Sequence, residues 1–270
     1  MLFENKNCEK CGSSYDIVES TCPTCGAHNN EVEKRKINQN ITWLPVWKQL
    51  VFFAVGFVLL NVLSIFVQLI LANFYSEEDI TFAMLNNVIC YSVVFVAMFL
   101  LVIGHYRKFW KPFANWVPYF TGFAFGILLI ICSMTYNAVT NIIFSSGTNS
   151  NQNTANEMIA AYPFISILLI GLVGPIVEEF TYRLGLFSFL RRINVWVAYL
   201  VTIAFFAFIH FTFSADNLAQ EFISLPNYIM AGFTFCILYD KCGFAASVTA
   251  HITNNLTSAL LIAIATLLTR

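Results

Sequence analysis

Residues 162–190 read YPFISILLIGLVGPIVEEFTYRLGLFSFL, an apolar run that nevertheless carries two adjacent carboxylates, Glu178 and Glu179, and a cation, Arg183, well inside it. About 20 apolar residues suffice to cross the hydrocarbon of a bilayer. An unpaired charge at that depth costs several kcal/mol, so ionisable groups there are functional-site candidates by default. The stretch places the chain in lipid and marks a polar site within it.

The whole composition agrees. Of 270 residues, 58% are hydrophobic and 11% charged, with a mean hydropathy of +0.70, whereas soluble domains run at about 25% charged. Residues 1–48 hold six Lys/Arg and six Asp/Glu, which leaves eight basic and nine acidic side chains for the following 222 residues. That excludes a water-soluble enzyme. A net charge of −1 and a pI near 6.4 supply no basic field for nucleic acid. Apolar runs at 47–74, 82–105, 116–144, 162–190, 194–213, 222–239 and 243–268 predict an all-α polytopic membrane protein, a bundle of about seven transmembrane helices preceded by a small zinc-ribbon domain. No cleavable signal pattern precedes Trp47, so the first run is expected to act as an uncleaved anchor. The segment 145–156, rich in Ser, Asn, Thr and Gly, reads as a loop without a core of its own.

The head of the chain has a different chemistry. Cys8-Glu-Lys-Cys11-Gly12 and Cys22-Pro-Thr-Cys25-Gly26 are two CxxCG knuckles. Each can turn two thiolates toward one point, with the following glycine permitting a tight turn, and together they complete a tetrahedral structural zinc site with no open position. Residues 1–28 therefore form a zinc ribbon, and 29–46 a polar tether with Lys34-Arg35-Lys36 inside it. Cys90, Cys132, Cys236 and Cys242 read as small buried hydrophobes.

Loop charges orient the spans. Lys34–Lys36, Arg107, Lys108, Lys111, Arg191, Arg192 and Lys241 fall on one side, and Glu77, Glu78, Asp79, Glu157, Asp216 and Glu221 on the other. The positive-inside rule puts the N-terminus and the ribbon in the cytoplasm of a multi-pass cell-membrane protein. Zinc-bound thiolates fit that reducing compartment.

Three spans carry ionisable groups away from their ends: Glu178, Glu179 and Arg183 in the fourth, His210 after Phe206 in the fifth, and His251 with Asn254 and Asn255 in the seventh. At about 1.5 Å per residue, Glu178, His210 and His251 stand roughly 20, 22 and 15 Å from the basic edge. The three can meet in one cavity. Glu179 and Arg183, four apart, share a face and can neutralise each other. Glu178 is turned about 100° away and is free to face the histidines. His251 and Asn255 line one wall while Asn254 turns elsewhere, Phe206 packs against His210, and Gly174-Pro175 favours a kink with unpaired carbonyls. A buried histidine is commonly a satisfied core residue, and His105 and Tyr239-Asp240 keep that reading. Asn137 with Asn141, and Asn61 with Gln68, are candidate interhelical contacts.

The ordered set EExxxR (Glu178–Arg183), FxxxH (Phe206–His210) and HxxxN (His251–Asn255) resembles the CPBP family of intramembrane proteases, which includes type II CAAX prenyl endopeptidases and proteins associated with bacteriocin immunity and abortive infection. The resemblance covers about residues 160–270 and implies a catalytic transmembrane core there, with 47–144 as N-terminal transmembrane helices. It implies peptide-bond hydrolysis with Glu178, His210, His251 and Asn255 as catalytic residues and Glu179, Arg183 and Phe206 in support. Glu178 could serve as general base toward a water that His210 also positions, with His251 and Asn255 donating to the oxyanion. Alternatively Glu178, His210 and His251 could ligate a catalytic zinc. Arg183 could line the water route. A non-enzymatic scaffold or bacteriocin-immunity factor and a proton-coupled transporter are the competing functions. The expected partners are the bilayer, a peptide or membrane-protein substrate, and a cytosolic protein recruited through the ribbon.

Overall fold

A computed structural model describes residues 5–16, 21–29, 44–105, 109–145 and 147–269. Most of the tether, including Lys34–Lys36, and the pair Arg107 and Lys108 lie outside the described residues. The chain divides into two compact units, 1–43 and 44–270.

In the first unit, strands β1 (Asn5–Asn7) and β2 (Ser14–Asp16) pair antiparallel. The first knuckle joins them: Gly12 N–H donates to the Cys8 carbonyl at 2.8 Å and Cys8 N–H to the Ser13 carbonyl at 2.9 Å. The second repeats the pattern, with Gly26 N–H on the Cys22 carbonyl at 2.9 Å and Cys22 N–H on the Ala27 carbonyl at 2.8 Å. Gly12 (φ +73°) and Gly26 (φ +68°) both adopt the left-handed conformation that a Cβ penalises. Glycine after each CxxC is what lets the backbone turn the two thiols inward.

The second unit is helical: α1 (Val46–Leu71), α2 (Ile80–Val102), α3 (Val117–Phe144), α4 (Ser150–Ala161), α5 (Pro163–Arg191), α6 (Val195–Phe208), α7 (Leu218–Cys242) and α8 (Phe244–Leu268). Six of these are long and apolar enough to cross a membrane, and α6 is shorter. The expected fifth span thus stops at Phe208 after 14 residues, about 21 Å. Its end is closed locally: His210 N–H donates to the Ala207 carbonyl at 3.2 Å and His210 Nδ1 lies 2.8 Å from the Phe206 carbonyl. The hydropathy of Phe211 and Phe213 hides this stop in the sequence.

The expected loop at 145–156 is largely helix α4. Asn149 caps it, accepting from Gln152 N–H at 3.1 Å, and its own Met158 and Ile159 are buried. Of the proposed polar contacts, Asn137 Oδ1 accepts from Asn227 of α7 at 2.6 Å. Asn61 and Gln68 bond within α1, and the α1–α2 bridge is made by Ser64 and Asn86 instead. Cys90 and Cys236 are buried, while Cys132 and Cys242 are exposed.

Small residues set the helix spacing. A Cβ on Gly122 would lie 2.4 Å from the Ala246 carbonyl oxygen, and one on Gly126 would lie 2.8 Å from that of Ala250, so α3 and α8 run backbone against backbone. Gly185 of α5 meets the backbone of Phe53 in α1 in the same way. The bundle has a basic end, where Arg192 reaches the Leu44 carbonyl at 2.6 Å and Arg191 and Lys241 flank Asp240 at 3.2 and 3.0 Å. Tyr239, fully buried, meets Ser188 there at 2.7 Å. The opposite end carries Glu77, Glu78, Asp79, Glu157 and Asp216.

Candidate active site

Helix α5 is not regular. It passes through π-helical stretches at Leu169–Val173 and Phe180–Phe187, flanking the turn that holds Glu178 and Glu179. Proline at 175 bends the hydrogen-bond register rather than breaking the helix. In the first stretch the Gly174 N–H pairs with the Leu169 carbonyl, five residues back. The next pair in that register would be Pro175 with Ile170, and proline has no N–H to give. Asn255 of α8 takes its place, donating to the Ile170 carbonyl at 3.3 Å. Asn254 donates to Asn255 Oδ1 at 3.0 Å and lines the same cavity, so it does not turn elsewhere.

The two adjacent carboxylates face different partners. Glu179 is fully buried; it accepts from His251 Nδ1 at 3.0 Å and from the hydroxyl of Ser247, and it forms an ion pair without a hydrogen bond with Arg183, whose Nε lies 3.4 Å away. Arg183 is itself buried, its guanidinium 4.8 Å from the Phe206 ring centre and 5.3 Å from that of Phe235. It is not among the residues that line the cavity. Glu178 keeps 14% of its side chain exposed and aims Oε2 at His251 Nε2, 3.6 Å away. That separation is too long for a direct hydrogen bond, and Glu178 Oε2 has no other hydrogen-bond partner among the described residues.

Each histidine has one nitrogen committed. His251 Nδ1 donates to Glu179, and its ring stacks on Phe235 at 4.3 Å. His210 Nδ1 donates to the Phe206 carbonyl, and its ring lies between Tyr228 at 4.5 Å and Phe206 at 5.1 Å. These bonds fix the tautomer of His210, leaving Nε2 as an acceptor. The backbone around it is held as well. Asn149 donates to the His210 carbonyl at 3.0 Å, and the buried Glu221 accepts Thr212 N–H at 3.0 Å and Ser150 N–H at 2.8 Å.

Glu178, His210, His251 and Asn255 all line a single cavity of about 1510 Å³. Asn254, Tyr228 and Asn149 share that lining; the sequence reading named Asn254 but turned it away from the wall, and Tyr228 and Asn149 escaped it. A second asparagine beside His251 was the available signal for Asn254; nothing in the sequence singled out Tyr228.

The four cysteines of the ribbon bring their Sγ atoms within 4.8 Å of one another. Cys8 and Cys25 are 3.5 Å apart and Cys11 and Cys22 3.7 Å, close to the edge of about 3.8 Å of a tetrahedron with metal–sulfur bonds of about 2.3 Å. The Ser13 hydroxyl, 3.3 Å from Cys22 Sγ, pulls that thiol down to about 6. This donor set fits a metal. Among the described residues no other group of three or more His, Cys, Asp and Glu side chains converges closely enough to hold one, so Glu178, His210 and His251 do not form a comparable ligand set.

Over 130 residues, 44% of this chain and 48% of the relative, the sequence is 31% identical to the UPF0177 protein YvdC of Lactococcus lactis subsp. lactis (strain IL1403). The chain thus spans about half the length of that relative. No solved structure matches. Residues 160–257 match a family described as type II CAAX prenyl endopeptidase Rce1-like. That segment opens at the end of α4 and closes just beyond Asn255, taking in Glu178, His210, His251 and Asn255, and through it the chain is a membrane protein similar to the Rce1-like family.

Proposed function

We propose that the chain is an intramembrane endopeptidase in which Glu178 activates a water for attack on a peptide carbonyl. The observation that carries this reading is the Glu178 carboxylate, aimed at His251 Nε2 across 3.6 Å, with no other hydrogen-bond partner and on the wall of the cavity that His210 also lines. A water there can donate one proton to Glu178 and the other to His210 Nε2, both acceptors, which raises the electron density on its oxygen. Attack on the carbonyl carbon transfers a proton to Glu178, and the protonated acid returns it to the leaving amine as the C–N bond breaks. His251, its Nδ1–H held by Glu179, donates from Nε2 as well only when both ring nitrogens carry a proton. That cation and the second N–H of Asn255 would then receive the oxyanion.

Several further features are part of the same proposal. The four cysteines hold a structural zinc, which neutralises their thiolates and folds the ribbon. The ribbon is cytoplasmic and serves to recruit a cytosolic partner. The water-based reading is preferred to a metal at the cavity because the three polar side chains do not converge as the cysteines do.

The test is cleavage of a quenched-fluorescence peptide library by purified full-length chain in nanodiscs. Glu178→Gln and His210→Ala should each lose about 10² to 10⁴-fold in turnover, with melting temperature and yield held. Undiminished cleavage by Glu178→Gln would remove the general base and with it the mechanism.

A further inference from the structure

The residues that line the cavity are unevenly placed along the helices. On α3 they run from 129 to 141, on α5 from 169 to 182, on α7 from 220 to 235 and on α8 from 251 to 262. In every case they stop short of the basic end. Glu178 and His251 lie at the floor, and the cavity rises from them past His210 to the segment 147–155, which borders it at the acidic end. The connections at that end, 72–79, 145–162 and 209–217, contain no Lys or Arg, and Arg270 is the only basic residue placed there by the sequence. The connections at the other end carry Arg107, Lys108, Lys111, Arg191, Arg192 and Lys241. That asymmetry assigns the basic end to the cytoplasm.

We infer that the catalytic cavity opens to the extracytoplasmic side of the membrane, so that its substrate is a polypeptide segment offered from that side and cut at an internal bond. This rests on the peptidase reading for its chemistry but not for its direction. The lining supports the second half of the statement. Among the described residues no Lys or Arg faces the cavity, so a free C-terminal carboxylate meets no cation there. The upper wall instead presents carboxamides, among them Asn137, Asn141 and Asn151. Asn137 accepts from Asn227 and Asn151 donates to Tyr228, and the remaining donors and acceptors of these carboxamides, with those of Asn141, complement a peptide backbone pulled out of helical pairing. A polypeptide entering from this side reaches Glu178 without passing the buried Arg183.

The experiment labels full-length chain in intact cells with a membrane-impermeant maleimide. Asn151→Cys, at the cavity edge, and Asp216→Cys, in the loop after His210, are compared with the unsubstituted chain, whose exposed Cys242 reports the basic end. Both variants should label several-fold above the unsubstituted chain in intact cells, and the unsubstituted chain should gain label only on permeabilisation. Silence of both variants in intact cells overturns the inference, and so does labelling of Lys241→Cys from outside. Labelling requires no hydrolysis, so an outward-facing chain that cleaves nothing would sink the peptidase reading while leaving the direction of the cavity in place.

Discussion

Pro175 acts at a distance of five residues. By withholding an N–H from a π-helical register it leaves the Ile170 carbonyl open to Asn255, and so couples α5 to the wall of the cavity on α8. Pro175→Ala restores the donor, lets residues 169–175 relax toward an ordinary α-helix, and frees Asn255 from its partner. The expected outcome is a fall in turnover of up to roughly 10²-fold through misplaced groups, with a melting temperature that is maintained or raised because a helix-interior proline is gone. Native turnover in Pro175→Ala would show that the π turn does not position Asn255. Much of the local arrangement at Glu178 and Glu179 was legible from spacing alone: adjacent residues on a helix point about 100° apart, which separates a cavity-facing acid from one paired with Arg183. The partnership of Ile170 with Asn255 was not legible, because a reader of helical spacing counts in fours where this segment counts in fives.

Among the elements, α3 and α8 depend on the absence of side chains. The Gly122-x-x-x-Gly126 spacing brings α3 against Ala246 and Ala250, and α8 in turn carries His251 and Asn255 to the cavity. Gly122→Val should force the two backbones apart, costing about 1 to 3 kcal/mol, read as a lower melting temperature and reduced membrane abundance. A variant as stable as the parent would contradict the close approach. This spacing stood in the sequence as a small-residue motif and was passed over among more conspicuous charges. Helix α4 was illegible for the opposite reason, since only Met158 and Ile159 of its residues are deeply buried and its polar remainder reads as loop. The early end of α6 was concealed by phenylalanines beyond it that continue the hydropathy without continuing the helix.

At the scale of the whole molecule the chain joins two units built on different sources of stability. Residues 1–43 have a small cluster of Cys8, Tyr15 and Cys22 at their centre, so metal removal should unfold them. A chelator, or Cys22→Ser, should expose residues 5–29 to proteolysis and hydrogen exchange, and the intact chain should hold one zinc per molecule by elemental analysis; a metal-free chain with a protected ribbon would refute the zinc assignment. The membrane unit takes its stability from close helix packing and from a buried polar layer in which Glu179 draws together Arg183, His251 and Ser247. A single residue, Gly243 at φ +89°, separates the end of α7 from the start of α8. Spans joined so tightly are expected to insert as a hairpin, which would bring His251 into hydrocarbon beside the Phe235 ring of its twin rather than alone. The chain's biogenesis, as much as its chemistry, is written into that turn.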